Sequence, residues 1–428
     1  MIYEELLHFI WRTKLLAAER LETIDGETIE IIHPGIINLN QGPDFTMAKL
    51  KIAGIIWVGQ VEMHVMASDW KRHSHDGDKQ YDNVILHVVW QYDQEILIHN
   101  QILKTLELKN YIREETLNRY RYLQNTHTQI PCQALISNIP QHVIQNQLAR
   151  TLIERFHKKI ERIKTELEYV SGDWNEVFYK NIAKYLVTPV NAIAMDWLTT
   201  IVKLKLLQKY NGKLISLESL LFGTAGFLQE NYTDSYYQSL KFEYQYLKNK
   251  HSLDELSPHV WKFLRMRPAH FPSMRIAQIA GLFYSKQNIF DQLIHCDNIN
   301  RALECLDSNP TDYWKHHFRF GEEYKMFSEE KNAGIGIKTK EILLINVVCP
   351  MLFCYGNLNA KNELREKALH WMGQLKAEIN QFTKIWTQID IKFKNAAETQ
   401  GCLELYHAYC KEKKCLDCQI GAKLMTTH

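Results

Sequence analysis

Along this chain the spacing of apolar residues changes once, and that change constrains the fold more than any other feature. From 29 to 102 the sequence is a succession of short β-branched and aromatic runs broken by turn residues, the pattern of strands. Beyond about residue 141 the apolar positions advance by three or four, the pattern of amphipathic helices. Leu148, Leu152, Phe156, Ile160, Ile163 and Leu167 form the clearest stripe. Strands gathered first and helices afterwards predict an α+β chain rather than alternating βα units. The polar stretch 124–131 is the expected boundary. It gives an α+β domain over 1–125, an all-helical domain over 126–395 and a cysteine-rich, metal-binding segment over 396–428.

Within the first region the spacing predicts a helix over 3–20 and strands over 29–33, 45–52, 55–65, 84–90 and 95–99. The polar residues 68–83 read as a helix or an ordered loop. The run from Val84 to Trp90 is apolar almost throughout, as expected of a strand covered on both faces. Trp57, Trp70 and Trp90 are expected in the core, and no internal repeat is evident.

Composition narrows the class. With 51 Lys+Arg against 49 Asp+Glu the net charge is +2, which excludes a uniformly basic coat and leaves only local basic patches. The N-terminus lacks a basic region ahead of an apolar stretch, and the longest apolar run, 342–355, is interrupted by Asn346 and Pro350. A soluble, cytoplasmic protein without a membrane partner is the expectation. In that compartment thiols stay reduced, so the nine cysteines are not a disulfide framework. Cys132, Cys296, Cys305, Cys349 and Cys354 are scattered and read as small buried hydrophobes. Cys402-X7-Cys410-X4-Cys415-X2-Cys418 is a compact run that suits a tetrahedral Zn²⁺ or a [4Fe–4S] cluster.

The stretch richest in chemistry is Gly42-Pro43-Asp44-Phe45 with Glu62-Met63-His64. If 53–55 is a three-residue loop closing a hairpin, residue 52 faces 56 and Asp44 faces His64. Residues 62 and 64 share a face, so Asp44, Glu62 and His64 converge. A two-residue turn would set Asp44 opposite Met63, on the wrong face. Two carboxylates and an imidazole suit Mg²⁺ or Mn²⁺, which can polarise a phosphodiester and activate water. His73, His75, Asp76, Asp78, Tyr81 and His87 form a second polar cluster. From it, His73, His75 and Asp78, together with Asp69, are candidates to support the hairpin site.

The hairpin residues resemble the PD-(D/E)XK phosphodiesterase superfamily, with its Pro-Asp on one strand and (Asp/Glu)-X-Lys on the next in an αβββαβ core. Here Pro43-Asp44 and Glu62-X-His64 stand in those places, with His for Lys. The resemblance implies Asp44 and Glu62 as metal ligands and His64 as the residue that orients or deprotonates water. It implies a nuclease, with DNA preferred over RNA as partner, or a non-catalytic nucleic-acid-binding or scaffold protein that keeps an inactive nuclease fold. The whole chain also resembles an uncharacterised bacterial family of unknown function common in Bacteroidetes. That likeness rests on Gly42-Pro-Asp-Phe, Val61-Glu-Met-His, the Ser68–Asp78 histidine motif, Arg267-Pro-Ala-His-Phe-Pro272 and the terminal cysteines. Arg265, Arg267 and Arg275 among aromatics are candidate nucleic-acid contacts. So is Lys338, because Gly334-Ile-Gly-Ile-Lys-Thr339 looks like the hairpin of a helix-hairpin-helix motif. The sequence leaves the oligomeric state open.

Overall fold

The computed structural model describes residues 2–17, 20–284, 286–324 and 332–427 of the chain. It is a mixed α+β structure, with one main sheet near the N-terminus and a large helical region. Contacts divide it into two compact units. Met1–Arg150, Ile385–Ile391 and Cys402–His428 form the first, and Thr151–Lys384 with Lys392–Gly401 the second. The terminal cysteines thus belong to the sheet-bearing unit.

In the first unit, α1 (Glu4–Thr13) buries Leu6, Leu7, Phe9, Ile10 and Trp11 and carries Glu4 and Glu5 in its first turn, where they complement the helix dipole. It ends well before the limit suggested by the spacing, because Lys14 turns left-handed at φ 54°. The Lys14 ammonium then donates to the Ile31 carbonyl at 2.6 Å. There follow β1 (Leu21–Glu22), β2 (Thr28–His33), β3 (Ile36–Ile37), β4 (Phe45–Ile52), β5 (Ile55–Met66), α2 (Asp69–Arg72), β6 (Val84–Gln91), β7 (Leu97–Ile98), β8 (Gln101–Ile102) and β9 (Thr105–Glu107). The main sheet has the order β1-β2-β4-β5-β6-β9, with β3 beside β4. Strands β2, β4 and β5 are antiparallel neighbours, whereas β6 runs parallel to β5 and β9 parallel to β6. Flanked on both sides, β6 buries Leu86, His87, Val88 and Val89 in succession, as its apolar run requires. The strand expected over 95–99 shrinks to β7, which among the described residues pairs with β8 outside the main sheet.

The hairpin differs from its expected register. Ile52 pairs with Ile55, so the turn has two residues, Ala53 and Gly54, both at positive φ as a primed turn demands. Unbroken, that ladder would place Asp44 opposite Met63. It is broken instead. Ala48 pairs with Gly59 but Phe45 pairs with Val61, so β4 carries one extra residue, a β-bulge. Met47 lies in the bulge at φ 55°, with its side chain 69% exposed. One step beyond the ladder, the shifted register sets Asp44 across from Glu62 rather than His64. Trp57, expected in the core, is exposed on this hairpin, whereas Trp70 is buried.

The second unit has a helical core that includes Phe178, Phe222, Ile276 and Leu352. One helical run, Ile337–Leu358, is long and apolar enough to cross a membrane, and 67% of its most apolar window is buried inside the structure. Asn346 and Pro350 do not interrupt it. A π-turn at Leu344–Val348 absorbs the irregularity, and Pro350 falls in the first turn of the helix Cys349–Leu358.

Candidate metal centre

Four elements of the first unit supply one polar cluster inside an apolar surround. Strand alternation points Glu62 and His64 to the same face of β5. The parallel register with β6 pairs Glu62 with His87 on that sheet, and the chain beyond α2 brings His73 and His75 over them. From α1, Glu4 and His8 stand one helical turn apart, and His8 Nε2 lies 3.2 Å from Asp44 Oδ2. Glu62 is 5% exposed and His64 1%.

The two carboxylates lock the strands reciprocally where the bulge ends the ladder. Asp44 N–H donates to Glu62 Oε2 at 3.0 Å, and Met63 N–H donates to Asp44 Oδ2 at 2.9 Å. Each acid commits one oxygen to backbone. The other Glu62 oxygen, Oε1, faces His75 Nε2 at 3.2 Å and His64 Nε2 at 3.5 Å. His64 Nε2 also lies 3.1 Å from His73 Nδ1, and His64 Nδ1 lies 2.9 Å from His87 Nε2. One nitrogen from each of His64, His73 and His75 falls within 4.8 Å of the others, close enough to share one metal ion. The Nδ1 of His87 is buried without a hydrogen-bond partner, and the buried Nε2 atoms of His8 and His75 lie only against the carboxylates of Asp44 and Glu62.

Electrostatics follow from burial. Glu62 is pushed up to about 9, first by desolvation and then by the neighbouring Asp44 charge, against the lowering effect of the Asp44 N–H. Burial lowers His64 to about 2 and His87 to about 3, with the surrounding imidazoles adding to the effect. His75 is lowered as well, and Glu4 is raised, in each case chiefly by burial. At neutral pH His64, His75 and His87 are therefore uncharged and hold lone pairs, the state in which imidazole ligates metal.

Comparison with known proteins gives one match. Residues 4–381 fit the family described as "Protein of unknown function (DUF2851)". The chain belongs to the DUF2851 family. No curated protein and no solved structure matches it. The matched span contains the whole histidine–carboxylate cluster of this DUF2851 protein and ends before the terminal cysteines.

The remaining candidate residues are placed as follows. Asp69 and Asp78 serve the backbone: Asp69 Oδ2 accepts from Met66 N–H and its other oxygen pairs with Arg72, while Asp78 caps the turn Lys79–Tyr81. Arg275 is 4% exposed and donates to Gln278 Oε1 and His270 Nδ1. It is thus not a surface cation, whereas Arg265, Arg267 and Lys338 are exposed. The short helix Ile337–Leu343 follows Gly336, and residues 325–331 ahead of it lie outside the described residues. Cys402 lies in the helix Ala396–Leu405, Cys410 closes a π-turn, and Cys415 and Cys418 lie in the turns beyond. Two members of the cluster, Glu4 and His8, were missed in the sequence, and His87 was grouped with the second polar cluster without being named a site residue. Glu4 and His8 gave a signal only as an i,i+4 polar pair at the edge of an amphipathic helix.

Proposed function

We propose that this DUF2851 protein is a metal-dependent phosphodiesterase acting on nucleic acid, related to the PD-(D/E)XK type with His64 in place of the lysine. The observation that carries the reading is the pairing of Asp44 with Glu62 across β4 and β5, with His64 and His75 at Glu62 Oε1 and His73 beside His64. The element order supports it: a helix, an antiparallel β2-β4-β5 set, a short helix, and a parallel β6.

The donor set fits a divalent cation. Glu62, Asp44, His64, His73 and His75 are the residues that would hold it. Once bound, the ion would polarise a phosphodiester and lower the pKa of coordinated water. The chain's own groups do the rest. The His87 contact orients the His64 ring, so that His64 Nε2 faces the site. Uncharged at neutral pH, His64 offers a lone pair to water or metal and cannot supply the positive charge a lysine would bring. Exposed Arg265, Arg267 and Lys338 are the proposed phosphate contacts.

Purified protein, Asp44→Asn and Glu62→Gln are to be titrated calorimetrically with Mn²⁺, then incubated with end-labelled DNA and RNA. Mn²⁺-dependent cleavage that both substitutions reduce by at least about a hundredfold is the expected result. Equal cleavage by all three proteins refutes the assignment. The buried, uncharged His64 favours a second reading, a nucleic-acid-binding protein with an inactive site, which predicts Mn²⁺ uptake and oligonucleotide binding without cleavage.

A further inference from the structure

The β4–β5 hairpin runs past the start of its other neighbour. β4 pairs with β5 from Ile55 onward, but β6 joins β5 only from Gln60. Among the described residues, 55–59 therefore have a strand on one side and none on the other. Ile55, Ile56, Trp57 and Val58 are 61%, 56%, 39% and 62% exposed. Successive side chains alternate between faces, so both faces of the strand are open here. An unpaired strand edge is normally blunted by a charge or a proline, and residues 55–61 contain neither.

Backbone direction defines what the edge offers. An antiparallel strand turns the N–H and C=O of alternate residues to alternate neighbours. Ile52 and Ile55 close a two-residue turn, so Ile55 and Trp57 bond to β4 while Ile56 and Val58 point away from it. Gln60, two residues beyond Val58, shows the same parity: its N–H donates outward to the Asn83 carbonyl at 2.9 Å. Ile56 and Val58 thus present a row of backbone donors and acceptors flanked by apolar side chains above and below. An added strand meets both requirements at once.

We propose that this edge pairs with the same edge of a second copy, antiparallel about a twofold axis, so that one sheet runs through a homodimer. A twofold pairing lets each copy satisfy the other with identical groups. The length of free strand sets the register. A side chain at Gly59 would meet Asn83 O at 2.7 Å and Ile85 Cγ2 at 2.5 Å, so the open stretch ends at Val58. A partner strand centred on Ile56 fits within it. Ile56 then lies opposite the partner's Ile56, and Ile55 opposite the partner's Trp57, a β-branched and aromatic pair. Charge does not oppose this arrangement. Lys49 and Lys51 of β4 would face their counterparts across three strand spacings, roughly 14 Å, which exceeds a Debye length of about 8 Å. The four exposed side chains offer roughly 400 Å² on each copy, or about 800 Å² for the pair before backbone is counted, the low end of specific interfaces. The dimer is accordingly reversible and concentration-dependent. It is independent of the phosphodiesterase reading.

The test is sedimentation of the full chain over a range of concentrations, with Ile56→Pro, Val58→Lys and Ile32→Lys alongside. Wild type should shift toward twice the chain mass as concentration rises. Proline removes the outward N–H of position 56 and lysine charges the edge, so each should raise the midpoint concentration at least about tenfold. Ile32→Lys, exposed on β2 two strands from the edge, should dimerise like wild type. Amide exchange of wild type keeps the proposal testable if the variants misfold. The Ile56 and Val58 N–H groups should exchange at least about tenfold faster below the midpoint than above it, while Trp57 N–H, bonded to β4, should not change. Wild type that stays monomeric up to about 100 µM overturns the proposal, whether or not it binds lipid vesicles. So does a dimer that both edge variants leave intact, or one in which the Ile56 and Val58 amides exchange at the same rate at every concentration.

Discussion

Replacing Glu62 by Gln should change how the metal-free protein responds to pH, by an amount the burial of Glu62 sets. Folding raises this carboxyl from an ordinary 4.5 to about 9, because desolvation and the Asp44 charge both oppose ionisation. Between those two values the folded chain holds a proton that the unfolded chain has released. Stability therefore falls as pH rises through the window, by roughly 1.4 kcal/mol per unit for one proton. From pH 7 to 8.5 the loss is on the order of 2 kcal/mol. His64 and His87 have the opposite sign, since folding lowers them from 6.5 to about 2 and about 3. Their contribution is complete above about pH 6.5, so it adds no slope in this range. Glutamine keeps the shape and an acceptor for the Asp44 N–H but cannot ionise. Thermal melts of chelator-treated wild type and Glu62→Gln at several pH values should diverge, with the wild-type transition of the first unit falling by several degrees more over the interval. Adding Mn²⁺ should flatten the wild-type curve, because a bound cation removes the reason for protonation. Parallel curves for the two metal-free proteins would refute the account of Glu62 as an uncompensated buried acid.

Three further outcomes follow from the same structure. Met47→Gly should stabilise the protein by roughly 0.5–1 kcal/mol, since it relieves a left-handed non-glycine residue at the cost of some unfolded-state entropy, and the exposed methionine loses no core packing; a chemical denaturation curve checks it. Gly59→Ala should destabilise by about 1–3 kcal/mol, because its Cβ would lie 2.5 Å from Ile85 Cγ2 and 2.7 Å from the Asn83 carbonyl, and amide exchange at the β5–β6 junction should rise. His87→Leu should weaken Mn²⁺ binding by about 10–100-fold, while His87→Gln, which retains a partner for His64 Nδ1, should cost less. Calorimetric titration separates the two substitutions.

Much of the sheet could be read from β-branched runs, and β4 matches its expected span to the residue. What could not be read was the path between strands. The alternation argument correctly brought Glu62 and His64 to one face, but it assumed a three-residue turn. A two-residue turn followed by a bulge at Met47 reaches a different partner, Glu62, through a backbone conformation that nothing in the side chain of methionine announces. His87 owes its place to parallel pairing, and Glu4 and His8 owe theirs to docking of α1, both long-range events without a local signal. Asp69 and Asp78 illustrate the reverse. Their spacing beside His73 and His75 suggested a supporting role at the hairpin site, yet short polar side chains at turn starts are taken up first by nearby N–H groups.

On the proposed phosphodiesterase reading, histidine rather than lysine at position 64 would change what the site needs, not merely what it lacks. A buried lysine would neutralise Glu62 within the chain, and the acids would then be satisfied before any ion arrived. Here the side chains facing Glu62 Oε1 are His64 and His75, both uncharged at neutral pH, and no Lys or Arg is among the groups that shift Glu62. Among the described residues no Lys or Arg is paired with Glu62, and the imidazoles of His64, His73 and His75 cluster beside it. On the proposed reading a divalent cation would supply the missing positive charge and take imidazole lone pairs at once. Because imidazole is a borderline nitrogen donor, while Mg²⁺ prefers oxygen and water, histidine in the lysine's place would move the preferred ion of the proposed site from Mg²⁺ toward Mn²⁺ or a later transition metal. On that reading a metal with nitrogen ligands would be the counterpart of the missing lysine, and the two departures from the proposed phosphodiesterase pattern, His64 and the added His73–His75 pair, would be one change rather than two.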